Sequence, residues 1–460
     1  MELLDLCYDV LIRILEEINP ADLAACAQTS WGFNNFIKEN NRLHKAHYLQ
    51  HFDDPRTTLS YQEPQWTSEL HSLVKCQKIL LSKKKDVKRE NFRFIASTVE
   101  RLLSSGNDDN DDSLNKHILR TWFGNSQNLD IVMSRSSLYE RCGTASQQPA
   151  NEEEDRQLSA KMHCLHGIPG NSLGRRSLST HPHARSRVYD LRNYTDQTKW
   201  GPFREDGSMR VDWEMIESIM IVLAYNSNMC CRRNMPRFQP IWSDPFEGVV
   251  KHGTQTEYKM TILKEPEIPI EMKDPYNISG LWSRIVCFMD YNDLYAFNFA
   301  SRQVSPDEPR APINTEEAIR HILMRLQITK LEPPGPFDNP NLPIAHFTGK
   351  SRSVDVSWDP NANSKIRGTV SLTPEGEVRW NTISVFYGGE ERWRSEGIQV
   401  GGLNTRRGVV GSWFDKDYDA HGPAGPTAFW KVTDTIFNKM KNEEDTIDEE
   451  SDTDDDESEW

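Results

Sequence analysis

"GTVSLTPEGEVRWNTISVFYGGEERWRSEGIQVGG", Gly368 to Gly402, strings β-branched and aromatic runs between two turn signals, Thr373-Pro374-Glu375-Gly376 and Gly388-Gly389. Runs of this kind, bounded by Gly and Pro, predict strands joined by tight turns. The same grammar extends to both sides. "VDVSW", "IRGTVSLTP", "EVRWNTISVFY", "ERWRSEGIQVGG", "RGVVGSWF" and "TAFWKV" follow one another at regular spacing. Upstream, "GLWSRIVCF" and "DLYAFNF" flank Met289-Asp290-Tyr291-Asn292, a hairpin signal, while Ala318 to Leu326 reads as a short helix before a Pro-rich loop through Pro336. Many short strands rich in Gly and aromatics predict a closed or nearly closed antiparallel barrel, because closure removes unpaired edges. Gly368, Gly401, Gly408 and Gly411 are placed for bends and bulges.

The N-terminus speaks a different language. Leu11, Ile14, Leu15 and Ile18 keep helical spacing. Asn19 ends that helix, Pro20 opens the next at the position where its missing N–H costs nothing, and Asp22 lies in the first turn. Leu23, Cys26 and Ala27 form the second apolar stripe, and Ser30 is placed to cap a third helix bearing Phe33, Phe36 and Ile37. Three helices this short bury little apolar area of their own. Leu3, Leu4, Leu6 and Val10 add surface that so small a core cannot absorb, which marks a partner surface.

These residues carry a resemblance. The run Leu6, Val10, Leu11, Ile14, Leu15, Ile18, Pro20, Asp22, Leu23, Cys26, Ser30 and Phe33, with Asn41-Arg42-Leu43-His44 behind it, resembles an F-box over about the first fifty residues. Cys7 stands where that family usually has Pro, and Phe33 near the place where it prefers Trp. The motifs "GTVSLTPEGEVRW", "GGEERWRSEGIQVGG" and "RGVVGSWFDKDYDAHGPAGPTAFWK" are similar to the barrel of the vertebrate F-box receptor for D-type cyclins, and the middle of the chain to fungal F-box proteins. The resemblance implies an SCF-type ubiquitin ligase subunit, with Leu6, Val10, Leu11, Ile14, Leu15, Pro20, Leu23 and Phe33 docking Skp1 and, through it, a cullin-RING ligase. It implies a substrate-binding barrel whose candidate residues are Arg392, Trp393, Arg394, Asp415, Asp417, Tyr418 and His421. No catalysis and no cofactor are expected.

The expected fold class is α+β: an F-box over 1–50, a helical linker region over 51–145, a flexible linker over 146–184, a barrel domain with helical insertions over 185–433, and an acidic disordered tail over 434–460. Helices are expected over Phe92–Leu103, from Ile118 to Phe123, and from Trp213 behind Asp212 as cap, with Gly167–Arg187 as loop and Val188–Tyr194 extended.

Composition narrows the function. With 37% hydrophobic residues, mean hydropathy −0.69 and no apolar run of membrane length, a spanning helix is not expected. The N-terminus lacks a basic leader, and the eight scattered cysteines predict reduced thiols in the cytoplasm and/or nucleus. The net charge of −15 is concentrated: Glu443 to Glu459 holds twelve acids and no base, leaving about −3 for residues 1–442 (54 minus 57). Nucleic-acid binding finds no basic stripe, and Lys83 to Arg89 reads as a solvated loop or helix face.

Two clusters carry residue types that can bind metal ions. Asp415 to Gly422 resembles the start of a calcium loop, but Ala420 and Pro426 stand where such a loop needs Gly and Glu. His163, Cys164, His166, His181 and His183 could supply metal ligands, yet their spacing lacks the paired pattern of a structural zinc site, and no metal is expected. Nucleotide, hydrolase and metalloprotease motifs are missing from the sequence. The rival reading is a small-molecule-binding barrel with an N-terminal helical cap.

Overall fold

A computed structural model of the chain describes residues 3–57, 63–107, 113–142, 149–169, 174–233, 240–251, 269–300, 304–305, 308–336, 338–354 and 363–434. The acidic tail from 435 onward and most of the "VDVSW" run lie outside the described residues.

Four short helices open the chain: α1 (Tyr8–Glu16), α2 (Pro20–Ala27), α3 (Trp31–Glu39) and α4 (Asn41–His51). Pro20 begins α2 as its fixed φ favours. The Ser30 hydroxyl accepts the Phe33 amide at 3.2 Å, and Asn40 accepts the Leu43 amide at 3.1 Å, so both later helices start on side-chain caps. Leu11, Leu15, Leu23, Ile37 and Leu43 close the core of this unit, with Leu6, Phe33 and Phe36 packed against it. Buried His47 donates from Nε2 to the Leu15 carbonyl at 2.9 Å and ties α4 to α1.

A thick helical layer follows: α5 (Trp66–Leu81), α6 (Lys85–Glu90), α7 (Phe92–Ser105), α8 (Leu114–Phe123), α9 (Ser126–Met133), α10 (Ser137–Arg141), α11 (Glu153–His166), α12 (Gly174–Val188) and α13 (Trp213–Arg233). Its apolar residues share one core with Ile285, Ile398, Phe414 and Trp430 on the outside of the barrel. Asp212 caps α13 by accepting the Met215 amide at 3.2 Å, as its position predicts. The segment expected to be a flexible linker instead carries α11 and α12. Ala160, Met162, Cys164 and Leu165 of α11 are buried, and α12 continues through Pro182. The Pro182 carbonyl accepts Ile313 N–H at 3.0 Å, a tertiary bond that stabilises a helix local propensity disfavours. Val188–Tyr194 is likewise the end of α12 and a 3-10 turn rather than extended chain. Lys88, within the expected solvated cluster, is buried and donates to Gln127 at 2.8 Å and Asn128 at 2.6 Å.

The barrel consists of β1 (Gly280–Phe288), β2 (Ala318–Glu332), β3 (Ile344–Ser353), β4 (Ser364–Leu372), β5 (Val378–Val385), β6 (Glu391–Gln399), β7 (Val409–Asp415) and β8 (Ala424–Thr433). These eight antiparallel strands pair in chain order and β8 closes on β1. Two expectations fail here. Ala318–Leu326 is the first half of the long strand β2, and "DLYAFNF" forms helix α14 (Tyr291–Tyr295) with a π turn over Ala296–Ala300. Gly411 shows how tightly the wall closes, since a Cβ there would lie 2.0 Å from the Glu396 carbonyl oxygen.

Side chains alternate between the two faces of each strand. Trp282, Phe347, Trp380 and Phe429, from β1, β3, β5 and β8, meet inside with ring centroids 5.1 to 5.7 Å apart. Together with Met324, Leu326 and Val370 they plug one half of the barrel.

The buried histidines make folding pH-dependent. Burial, reinforced by the neighbouring Arg185, pulls His181 down from 6.5 to about 3. Burial likewise brings His166 to about 3, against an opposing hydrogen bond to the Gly167 carbonyl. Burial also lowers His44 and His47. Above pH 6.5 these groups are neutral both folded and unfolded; below it the unfolded chain binds protons that the native chain refuses. Stability is therefore expected to fall as pH drops below 6.5, by about 1.4 kcal/mol per pH unit for each strongly depressed histidine. Urea unfolding at about pH 7 and about pH 5.5 checks this; equal midpoints would show that these rings are not held neutral.

Candidate functional site

In the other half of the barrel, beyond the aromatic plug, Arg284, Thr382, Ser395 and Thr427 bring polar groups to the inner wall beside Trp393 and Trp413. The next inward residue after Trp282 on β1 is Arg284, buried, with its Nε donating to Thr427 Oγ1 at 3.0 Å and its guanidinium 5.9 Å from the Phe429 ring centre. Among the described residues no carboxylate pairs with it, and burial alone lowers it to about 10. Thr382 and Ser395, 2.5 Å apart, form a buried hydroxyl pair on the same inner wall. Trp393 and Trp413 cross edge to face at 5.2 Å, with Trp413 Nε1 donating to the Cys287 carbonyl at 2.9 Å.

The seven candidate barrel residues divide between two faces. Trp393 is on the inner side of β6, in register with Asp415 at the end of β7. Arg394 lies on the outer side, 5.4 Å over the Tyr418 ring, with Nε donating to the Lys416 carbonyl at 3.3 Å. Arg392 forks onto Glu390 at 3.0 and 2.7 Å and covers the Phe386 ring. Asp417 pairs with Lys416 at 2.6 Å. Tyr418, at φ +58°, packs outward on Phe414 and Trp200. His421 lies 4.7 Å from the Phe299 ring centre. The Asp415–Gly422 turn is thus held by its own side chains and by aromatic contacts on the outer wall.

The five candidate metal ligands are dispersed over α11 and α12. His163 Nδ1 meets buried Glu217 at 2.6 Å, His166 Nδ1 donates to the Gly167 carbonyl at 2.9 Å, His181 stacks on Tyr225 at 3.7 Å, and Cys164 is buried. His183 lies on α12. Among the described residues, no group of three His, Cys, Asp or Glu side chains is arranged to hold a metal ion, and no helix is long and apolar enough to cross a membrane.

At the other end of the chain, the eight candidate docking residues separate by burial. Leu11, Leu15 and Leu23 are only 2–3% exposed and belong to the core of the small unit. Leu6 and Phe33 are half-buried around them. Val10 and Ile14, 45% and 39% exposed, line the outer stripe of α1. Leu3 and Tyr8 are exposed as well, and Trp31 at the start of α3 is 81% exposed. A bare apolar face therefore surrounds a core that is already closed. Beside it a groove of about 720 Å³ opens between α2, α3 and α5, lined by Pro20, Leu23, Ile37, Leu70 and Val74, with Lys38 and Lys75 also on its wall. Residues 3–45 match the F-box domain.

F-box domains generally bind Skp1 in cullin-RING ubiquitin ligases, where the proteins carrying them are typically non-catalytic substrate adaptors. Comparison with curated proteins and with solved structures returned no match. Sequence reasoning missed three features around these sites. Trp31, rather than Phe33, is the exposed aromatic of the third F-box helix. The groove needs α5, which no local pattern places against the F-box. Arg284 was missed as well, although strand alternation, which gives it the same inward parity as Trp282, could have found it.

Proposed function

We propose that the chain is the substrate-recognition subunit of an SCF-type E3 ubiquitin ligase, non-catalytic in itself, with residues 1–50 docking Skp1 and the barrel within 185–433 capturing a protein substrate. The observation that carries this is the coexistence, in one chain, of an F-box with an uncovered apolar face and a barrel whose interior buries an arginine with no paired carboxylate among the described residues. A cation desolvated without a carboxylate is costly, and an anionic group entering the barrel offsets that cost. The barrel motifs' resemblance to the receptor for D-type cyclins supports the same reading, and such a ligase operates in the cytoplasm and/or nucleus. A small-molecule carrier draws no support from a barrel half filled by four aromatic rings.

Within this reading the inner wall matters more than the outer. Trp393→Ala is expected to weaken substrate capture at least tenfold, in the manner of a buried aromatic anchor. Arg392→Ala with Arg394→Ala should weaken it less, because those side chains are engaged outside the barrel. Pull-down of captured substrate with each variant measures the order, and a larger loss with the arginine pair would move the site to the outer face. Skp1 binding should be unchanged in both.

A further inference from the structure

The segment leaving β1 presents a row of aromatic rings to solvent. Tyr291, Tyr295 and Phe299 recur every fourth residue along α14 and the π turn, with ring centres 6.4 and 5.1 Å apart, and His421 of the β7–β8 turn extends the row at 4.7 Å. The three rings are 51%, 47% and 40% exposed. Beneath them the backbone is locked. Leu294 is buried, Asn298 accepts the Leu191 amide at 3.0 Å and donates to the carbonyls of Tyr189 and Leu294 at 3.0 Å, and Arg310 donates to the carbonyls of Phe297 and Asn298. The rings are thus preorganised while facing solvent, and a π turn of this kind is a common mark of functional segments.

Charge selects the occupant. Asp290 and Asp293 lie exposed on the ring-bearing segment. Asp419, 58% exposed at its side chain, borders the His421 end, and Lys416, a cation of the same turn, is already paired with Asp417. Aromatic faces among carboxylates attract Lys and Arg side chains by cation–π and ionic contacts together. The 6.4 Å between the Tyr291 and Tyr295 rings is close to the ~6.6 Å that separates side chains on one face of an extended strand, and the row then tightens to 5.1 and 4.7 Å.

We infer that this row is a docking strip for an extended segment of the substrate carrying Lys or Arg at alternate positions. The inference rests on the barrel being the substrate-binding end, and it adds a second, cation-selective contact outside the barrel.

The test uses the full chain and a fluorescein-labelled Gly-Arg-Gly-Arg-Gly-Arg-Gly peptide, followed by fluorescence anisotropy. The peptide is expected to bind, to weaken with added salt, and to lose roughly tenfold in affinity when Tyr295→Ala and Phe299→Ala are combined. Tyr295→Phe keeps the ring and should retain affinity. A Glu-containing peptide of the same length, in excess, should not displace the probe. Absence of binding, equal binding by the double-alanine variant, displacement by the acidic peptide or by an all-proline peptide, or self-association of the chain through these rings would each overturn the strip. Failure of the strip is distinguishable from failure of the barrel reading: in the first case substrate capture still depends on Arg284, and in the second the basic peptide still binds while that dependence is lost.

Discussion

A chain carrying Val10→Asp and Ile14→Asp is expected to lose Skp1 binding by at least a thousandfold while remaining folded. The two side chains lie four residues apart on α1 and are already 45% and 39% exposed, so carboxylates there stay hydrated in the free chain. Once a partner covers that stripe, each unpaired charge must be desolvated, at a cost of about 2 kcal/mol or more apiece. Two such penalties reach about 4 kcal/mol or more, roughly a thousandfold in affinity. The choice of residues matters. Leu11→Asp would place a charge in the small core beside Leu15 and Leu43, unfold the four-helix unit, and leave the loss of Skp1 uninterpretable. Titration of purified Skp1 into the double variant, with circular dichroism to check its helices, decides the matter. Affinity within tenfold of the unmodified chain would remove α1's outer stripe from the interface.

The second large effect concerns Arg284. Arg284→Met should abolish substrate capture and leave the unfolding free energy unchanged or raised by about 1 to 3 kcal/mol, because an unpaired buried charge gives way to an apolar chain of similar length. Arg407 supplies the contrast. It is also buried, and burial pulls it down to about 9; its guanidinium donates to the Leu165 carbonyl in the last turn of α11, where a cation is favoured, while its Nε and Nη1 have no hydrogen-bond partner among the described residues. Arg407→Met should therefore destabilise by roughly 2 to 4 kcal/mol, since it leaves that carbonyl unpaired and cuts a tie between the β6–β7 turn and the helical layer. Denaturant unfolding of both variants separates a functional arginine from a structural one. Should Arg284→Met destabilise like Arg407→Met and still capture substrate, Arg284 is part of the scaffold only.

How far the sequence carries is clearest from particular elements. The F-box helices and strands β4 to β8 were legible because apolar period, caps and turns agree over short distances. Strand β2 was not. "AIRHILMRLQITKLE" is rich in helix-forming Ala, Leu, Met and Arg, and its apolar residues fit both periods, so pairing to β1 and β3 decides its form. β3, with few large apolar residues in "IAHFTGKSRS", is likewise defined by its neighbours. The reverse holds for "DLYAFNF", whose aromatics favour a strand but whose Asp290 cap and buried Asn298 contacts hold a helix. On β6, the alternation that separates Trp393 from Arg392 and Arg394 was available from strand geometry alone. The clustering of Tyr418 with Trp200 was not, since it joins segments over two hundred residues apart in the chain.

In the proposed function, one chain bridges Skp1 and a protein substrate through separate ends. The most direct measurement is co-purification from cells with the proteasome blocked, using the tagged chain, its Val10→Asp/Ile14→Asp variant and its Arg284→Met variant in parallel. The prediction is that the unmodified chain brings down Skp1, a cullin and a defined set of ubiquitinated proteins. The first variant should keep the protein set and lose Skp1, and the second should keep Skp1 and lose the set. Retention of Skp1 by the first variant together with an unchanged protein set in the second would contradict it.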